Sequence, residues 1–134
     1  MPIVKAKSEE NIIAANLLVD NGKLASSIHC LYYSCFQLSK YVLAHYEGLS
    51  YDIQDRETKS VDSHFYISSH ISEKLSKKNR FYGIDYNTYY GILKMLRKRA
   101  DYSNEEITDR DVVRAKDSAE KLNKLLTEKY GILW

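Results

Sequence analysis

Proline breaks helices more strongly than any other residue, and this chain has one proline, at position 2. Four of its five glycines fall where a helical pattern would stop, among them Gly22, Gly48 and Gly131. No stretch keeps the alternation of apolar and polar residues that is typical of a strand. The sequence therefore predicts an all-α protein.

The strongest helical pattern lies in residues 23–46. Apolar or small side chains recur there at steps of four and three, which places them along one face of a helix. Because Leu31, Phe36, Leu38 and Leu43 widen this face, we expect the second helix to lie at the centre of the fold. The residues of this inner seam are Ile28, Tyr32, Cys35, Ser39, Val42 and Tyr46.

The flanking helices follow from capping residues and apolar spacing. Helix one is predicted to start at the N-cap Ser8 and to face inward through Ile13 and Leu17. Residues 47–60 are polar and lack periodicity, so we expect them to form a loop between helices two and three. Helix three is predicted over residues 61–78.

The second half of the chain predicts two more helices. An aromatic-rich turn at residues 79–85 leads to helix four, which Asp85 is predicted to cap. Thr108 and Asp111 have the spacing of a capping box for helix five, which should end near Gly131. The residues predicted to face inward are Tyr89, Ile92, Leu93, Leu96 and Ala100 in helix four, and Val112, Ala115, Ala119, Leu122 and Leu126 in helix five.

A chain of 134 residues suits one domain, predicted over residues 1–134 as an antiparallel, up-and-down bundle of five helices. Cys30 and Cys35 point to different sides of helix two and cannot bridge each other. Reduced thiols predict a cytoplasmic protein. Since no stretch resembles a signal peptide or a membrane span, we expect no membrane association.

Basic residues concentrate in one part of the chain. Residues 74–99 contain eight basic residues and the single acid Asp85, so this segment carries +7, and the rest carries −5 because the whole chain carries +2. Such a segment predicts contacts with RNA phosphates, and solvated lysines at helix ends are the alternative. The candidate phosphate-binding residues are Lys77, Lys78, Arg80, Lys94, Lys98, Arg99 and Asn104.

Arg97 borders the apolar face of helix four. Asp101 follows one helical turn later, at the spacing of an ion pair. A guanidinium that is partly removed from water and oriented by a carboxylate suits the binding of a phosphate. A surface salt bridge, worth about 0.2–0.5 kcal/mol, is the alternative.

Twelve tyrosines are the strongest anomaly of the composition, and four of them lie between the two basic runs. Rings among cations can stack nucleic acid bases, but we favour residues at the edge of the core that bury the ring and hydrate the hydroxyl. The four histidines lack metal-binding spacing, and no phosphate loop or nucleophile motif is present, so we expect no metal and no cofactor. His70 lies off the apolar stripe of helix three and is available to a polar site.

Three stretches resemble the HEPN (higher eukaryotes and prokaryotes nucleotide-binding) superfamily. ASSIHCLYYSCFQLSKYVL at residues 25–43 resembles its long second helix, and SSHISEKL at residues 68–75 resembles its histidine-led third helix. LRKRADY at residues 96–102 resembles the arginine-x-x-alanine-aspartate-tyrosine signature of small prokaryotic members. The resemblance implies a helical bundle that forms a homodimer, with its fourth helix near the dimer axis.

Many HEPN proteins are metal-independent endoribonucleases, often toxins or defence proteins, with a histidine about four to six residues after a motif arginine. Arg97 matches the arginine, but the histidine slots hold Tyr102, Ser103 and Asn104. Metal-free cleavage needs a group that accepts the proton of the 2′-hydroxyl, so this departure favours a non-catalytic or weakly active protein.

Two functional hypotheses follow from the resemblance. In the first, the protein binds RNA, a nucleotide or a partner protein, such as the nucleotidyltransferase-type antitoxin of a toxin–antitoxin or defence module. In the second, it is a metal-independent endoribonuclease in which Arg97 holds the phosphate, Asp101 orients Arg97, and Tyr102 or His70 assists proton transfer.

Overall fold

The computed structural model describes residues 3–133, and all regular structure in that range is helical, which confirms the all-α prediction. Six helices are present in this range where five were predicted. They are α1 (Ile3–Asp20), α2 (Leu24–Tyr46), α3 (Tyr51–Glu57), α4 (Ser63–Lys78), α5 (Arg80–Tyr102) and α6 (Asp109–Tyr130). None of the described helices has both the length and the apolarity needed to cross a membrane.

α2 is the central helix, as its inner seam predicts, and it packs against α1, α4, α5 and α6. Five of the six seam residues are completely buried, and only Tyr46, at the end of the helix, is 45% exposed. Within this seam, the hydroxyl of Ser39 lies 2.8 Å from the hydroxyl of Tyr86. This hydrogen bond satisfies both hydroxyls inside the core.

α1 differs from its prediction in both start and orientation. It begins at Ile3, and Ser8 is not its N-cap but a fully buried residue whose hydroxyl donates to the carbonyl of Ser34 at 2.6 Å. The predicted inward residues Ile13 and Leu17 are instead 61% and 59% exposed. The buried residues of α1 are the small Ser8 and Ala15, and apolar periodicity does not reveal packing through small side chains.

The stretch predicted as a loop, residues 47–60, contains α3. The hydroxyl of Ser50 caps this helix by accepting from the backbone N–H of Ile53 at 3.3 Å. Gln54 is buried, and its amide donates to the carbonyls of Lys40 at 3.2 Å and Leu49 at 2.8 Å. The loop prediction was wrong because two helical turns are too few to show periodicity, and a polar side chain anchors them.

α4 and α5 are joined by Asn79 alone, so the predicted turn at residues 79–85 is wrong. The Asn79 side chain accepts from the backbone N–H of Phe81 at 2.9 Å and therefore caps α5 in place of Asp85. The aromatic residues that suggested a turn form the first turn of α5. At the other end of α4, Asp62 accepts from the backbone N–H of His64 at 2.9 Å.

Gly83 lies in the first turn of α5, where the backbone of α5 passes close to α4. A Cβ atom at position 83 would overlap the hydroxyl of Ser76 and lie 3.0 Å from the backbone oxygen of Ser72. The two helices can therefore pack at this separation because residue 83 has no side chain.

α6 matches its prediction closely. The capping box between Thr108 and Asp111 is present, and Gly131 ends the helix in the left-handed conformation with φ 62°. All five residues predicted to face inward are buried. In α5, Leu93 and Leu96 are fully buried, and the other predicted inward residues are partly buried against the core.

Candidate phosphate-binding site

Arg97 is a buried cation on α5, only 9% exposed. Its guanidinium carbon lies 4.6 Å from the ring centre of Tyr32 on α2 and 5.9 Å from that of Tyr33. A planar guanidinium over an aromatic face gains electrostatic attraction from the ring. The side chain is therefore held between α2 and α5 rather than at their edge.

Asp101 contacts Arg97 and a histidine through the same oxygen atom. Its Oδ2 lies 3.6 Å from Nη1 of Arg97 and 3.0 Å from Nδ1 of His29 on α2. Because a carboxylate only accepts hydrogen bonds, the proton of the imidazole is on Nδ1, and Nε2 is left as the basic nitrogen. The structure thus brings to the site, from α2, an imidazole that was not predicted there from the sequence.

A second histidine, His64, is connected to the site by a hydrogen bond with Tyr32. The Tyr32 hydroxyl lies 2.8 Å from Nδ1 of His64 on α4 and 2.6 Å from the hydroxyl of Tyr90 on α5. Burial raises the pKa of both tyrosines, so they remain neutral hydrogen-bonding groups. The ring of Phe36 stacks on His64 with the ring centres 4.4 Å apart. We call Arg97, Asp101, His29, Tyr32 and His64 the Arg97 site.

Positive charge surrounds His64. Burial is the main cause that lowers the pKa of His64, and Arg97, Lys94 and Lys40 lower it further, whereas only Asp62 raises it. Since Asp101 also contacts Arg97, the three cations are opposed by two carboxylates, Asp62 and Asp101, which leaves a net charge of +1 that an anion would balance. Lys94 was predicted from the basic run, but Lys40 on α2 was not.

Tyr102 is the last residue of α5 and is 76% exposed. Its ring centre lies 5.9 Å from the guanidinium carbon of Arg97. It lines a cleft of about 460 Å³ between α2 and α5, together with Ala25, Ser26, His29, Cys30, Ala100 and Asp101. The structure therefore places Tyr102 beside Arg97, at the mouth of an open groove.

His70 and Asn104 lie elsewhere. His70 follows His64 by six residues on α4, and its ring packs on Tyr66 with the ring centres 4.2 Å apart. No contact in residues 3–133 joins His70 to Arg97. Asn104 is exposed after the end of α5 and makes no hydrogen bond to another described residue.

The predicted phosphate-binding residues form separate groups. Lys77, Lys78 and Arg80 are exposed at the junction of α4 and α5, about 26 Å along α5 from Arg97. Lys98 is exposed beside the site. Arg99 pairs with Asp111 at 2.6 Å and with Glu105 at 3.2 Å, so its charge is used to hold α5 to the start of α6.

Among residues 3–133, no three histidine, cysteine or acidic side chains gather in a group that could hold a metal ion. No protein-family model, curated protein or solved structure matches the chain. Membership of the HEPN superfamily therefore stays a prediction from the three sequence stretches.

Proposed function

We propose that this chain is an HEPN-like protein that binds RNA, with one phosphate of the backbone held at the Arg97 site. The buried guanidinium of Arg97 is the observation that carries the proposal. Removing such a cation from water costs several kcal/mol unless its charge and donors are satisfied. Its contact with Asp101, at 3.6 Å, is longer than a normal hydrogen bond, and its Nε is buried without a partner.

A phosphate that contacts the exposed part of the Arg97 side chain, which is 11% accessible, would add charge-assisted contacts that Asp101 does not supply. Guanidinium and phosphate form paired, charge-assisted hydrogen bonds that are about twice as strong as neutral ones. Lys94 and Lys40 add positive charge on the side of His64. The exposed ring of Tyr102 offers a face on which an unpaired base can stack. An exposed ring 5.9 Å from the guanidinium carbon of Arg97 favours single-stranded RNA over a protein anion.

The surface of α5 supports the homodimer that the HEPN resemblance implies. An outer seam of exposed residues runs along the helix at steps of four and three, with Gly91 near its middle, where a second helix could approach closely. Ile84 and Met95 are 54% and 44% exposed on it. The outer seam consists of Ile84, Thr88, Gly91 and Met95. We propose that a second copy of the chain covers it.

Light scattering tests the dimer. Met95→Glu places a charge in the outer seam and should convert a dimer into a monomer. Leu17→Glu, at a similarly exposed apolar position on α1, is the matched control and should leave the mass unchanged. A dimeric Met95→Glu protein would show that the copies pair through another surface.

RNA binding tests the main proposal. Fluorescence anisotropy with a labelled single-stranded RNA, in EDTA, should show about tenfold or greater loss of affinity for Arg97→Ala. Arg97→Lys keeps the charge but lacks the paired donors, and it should also bind less tightly. Arg114→Ala removes the same charge from an exposed position of α6 and is the matched control. Equal affinities of all four proteins would contradict a site at Arg97.

Salt dependence separates phosphate contacts from other binding. The logarithm of the association constant should fall linearly with the logarithm of the salt concentration. Arg97→Ala should make this slope shallower by about one phosphate contact. A wild-type affinity that is independent of salt would rule out a phosphate-driven interaction. Competition by excess mononucleotide would indicate that a nucleotide is the preferred ligand.

The biological setting is proposed from the resemblance alone. A toxin–antitoxin or defence module would pair this protein with a nucleotidyltransferase-type partner. Co-purification with the product of an adjacent nucleotidyltransferase gene would support that pairing, and the absence of such a neighbour would count against it.

A further inference from the structure

A cavity of about 320 Å³ opens between α2, α3 and α4, and we call it the α3 cavity. Phe36 and Ile67 form the apolar part of its lining, and Lys40 and Asp55 are its charged groups. Its volume lies within the range of cavities that bind small molecules, and an apolar wall with a few polar groups is the usual composition of such a site.

The two charged groups of the α3 cavity are left without ionic partners. The ammonium of Lys40 lies 5.9 Å from the ring centre of Phe36 and forms no ion pair within residues 3–133. Asp55 is exposed, and its carboxylate accepts no hydrogen bond from a described residue. An unpaired donor and an unpaired acceptor beside one apolar wall can bind a flat ligand that carries both kinds of polar group.

A row of aromatic rings connects the α3 cavity to the Arg97 site. The rings of Phe36 and His64 stack with their centres 4.4 Å apart, and the ring centres of His64 and Tyr32 are 5.6 Å apart. The guanidinium carbon of Arg97 lies 4.6 Å from the ring centre of Tyr32. Lys40 contributes to the electrostatic environment of His64, midway along the row. An RNA strand with one phosphate at Arg97 can therefore follow positive charge toward the cavity.

Guanine matches the charged groups of the cavity better than the other bases of RNA. Its Watson–Crick edge carries two adjacent N–H donors beside a carbonyl oxygen, so a carboxylate can accept from both donors while an ammonium donates to the oxygen. Adenine and cytosine each present one amino group next to a ring nitrogen whose lone pair a carboxylate repels. Uracil presents one N–H between two carbonyl oxygens. Single-stranded RNA leaves this edge open to a protein.

We infer that the α3 cavity binds a guanine base of the RNA held at the Arg97 site, with Asp55 accepting from the N1 and N2 donors and Lys40 donating to the O6 oxygen. This inference rests on the proposed function and adds base specificity to it. Arg97 contacts a phosphate, which is the same in every nucleotide, whereas Asp55 and Lys40 contact the edge of a base.

Fluorescence anisotropy compares short oligouridines that carry one guanosine, adenosine or cytidine at the central position. The guanosine RNA should bind about tenfold more tightly than the other two, because a paired contact to a base edge discriminates by about that factor or more. Inosine lacks the N2 amino group, so an RNA with inosine in place of guanosine should bind more weakly. Equal affinity for guanosine and inosine would overturn the paired contact with Asp55.

Asp55→Asn tests the acceptor. An amide presents one acceptor and one donor, so the preference for guanosine should fall to about twofold or less, while the affinity for plain oligouridine is not reduced. Asp52→Asn removes the same charge from another exposed position of α3 and is the matched control, which should keep the full preference. A guanosine preference that survives Asp55→Asn would place the base outside the α3 cavity.

Lys40→Met tests the donor, since it keeps the length of the side chain and removes the ammonium. It should lower the affinity for every RNA, because a cation beside the strand is lost, and it should also reduce the preference for guanosine. Lys116→Met, at an exposed position of α6, is the matched control and should change neither. An equal loss of affinity for the guanosine and adenosine RNAs would remove Lys40 from base recognition.

Different results refute the base site and the RNA site. Wild-type protein that binds the RNAs with one affinity, whatever the central base, would refute a base site in the α3 cavity and leave the proposed RNA binding in place. A preference for adenosine or cytidine that Asp55→Asn abolishes would overturn the assignment of guanine. Failure of every RNA to bind would instead refute the proposed function.

Discussion

The hydroxyl of Tyr32 touches His64 and Tyr90 while the face of its ring supports Arg97. The three contacts, at 2.8 Å, 2.6 Å and 4.6 Å, join α2, α4 and α5 through one side chain. Tyr32 is itself completely buried. The position of the candidate phosphate-binding cation is therefore set by the core and not by the surface.

Tyr32→Phe should destabilise the fold by about 1–3 kcal/mol, because it leaves the buried hydroxyl of Tyr90 and Nδ1 of His64 without their shared partner. Tyr33→Phe is the matched control at the next position. The Tyr33 hydroxyl makes no hydrogen bond to a described residue, so a change within about 0.5 kcal/mol is expected. Urea unfolding of both variants measures the difference, and equal losses would show that the Tyr32 network adds no stability.

Stability should fall as the pH drops below about 6.5, the ordinary histidine value, because burial and Arg97 lower the pKa of His64. Between the lowered folded pKa and the unfolded value, the unfolded chain binds more protons than the folded one. Acid therefore favours unfolding in that window, and the effect levels off below the folded pKa.

Urea unfolding from about pH 8 to about pH 5 follows this titration. His64→Gln should flatten the dependence in that window, whereas His45→Gln should leave it as in wild type. If His64→Gln keeps the full wild-type pH dependence, another group is responsible for it.

Gly83→Ala should destabilise the fold by about 1–3 kcal/mol, because the added methyl group would clash with Ser76 and with the backbone oxygen of Ser72 on α4. Gly91→Ala should instead stabilise the monomer by about 0.5–1 kcal/mol, since a Cβ there meets no atom within 4 Å. Thermal unfolding at a concentration that keeps the chain monomeric compares the two variants. A stabilised Gly83→Ala protein would mean that the helices separate without cost.

The features that the sequence predicts well are local. The inner seam of α2 and the capping box of α6 depend on residues within a few positions of each other, and both are present. The starts of α1 and α5 were mispredicted because better caps or closer packing lay a few residues away. An asparagine in a sequence is not by itself evidence of a helix cap. The structure shows that Asn79 follows the end of α4 and caps the start of α5.

Only part of the Arg97 site can be predicted from local sequence patterns. Arg97 and Asp101 are one turn apart on one helix, so their contact follows from helical spacing. His29 reaches Asp101 across 72 positions of the chain, and helical periodicity does not say which faces of two helices meet. His29 and Tyr33 are one helical turn apart on α2, and their rings pack together. This spacing is the local feature from which a role of His29 could have been predicted.

Asn79 is the only residue between α4 and α5, so the angle between the two helices is set at one position of the chain. His64 stands in the first turn of α4, about 22 Å from that junction, so a change of about 5° in the angle between α4 and α5 would move its imidazole by about 2 Å. Such a displacement exceeds the tolerance of a hydrogen bond to Tyr32. The contact between His64 and Tyr32 therefore holds the end of α4 that lies farthest from the junction, and the packing of α4 on α2 and α5 must keep the helix at one angle for this contact to form.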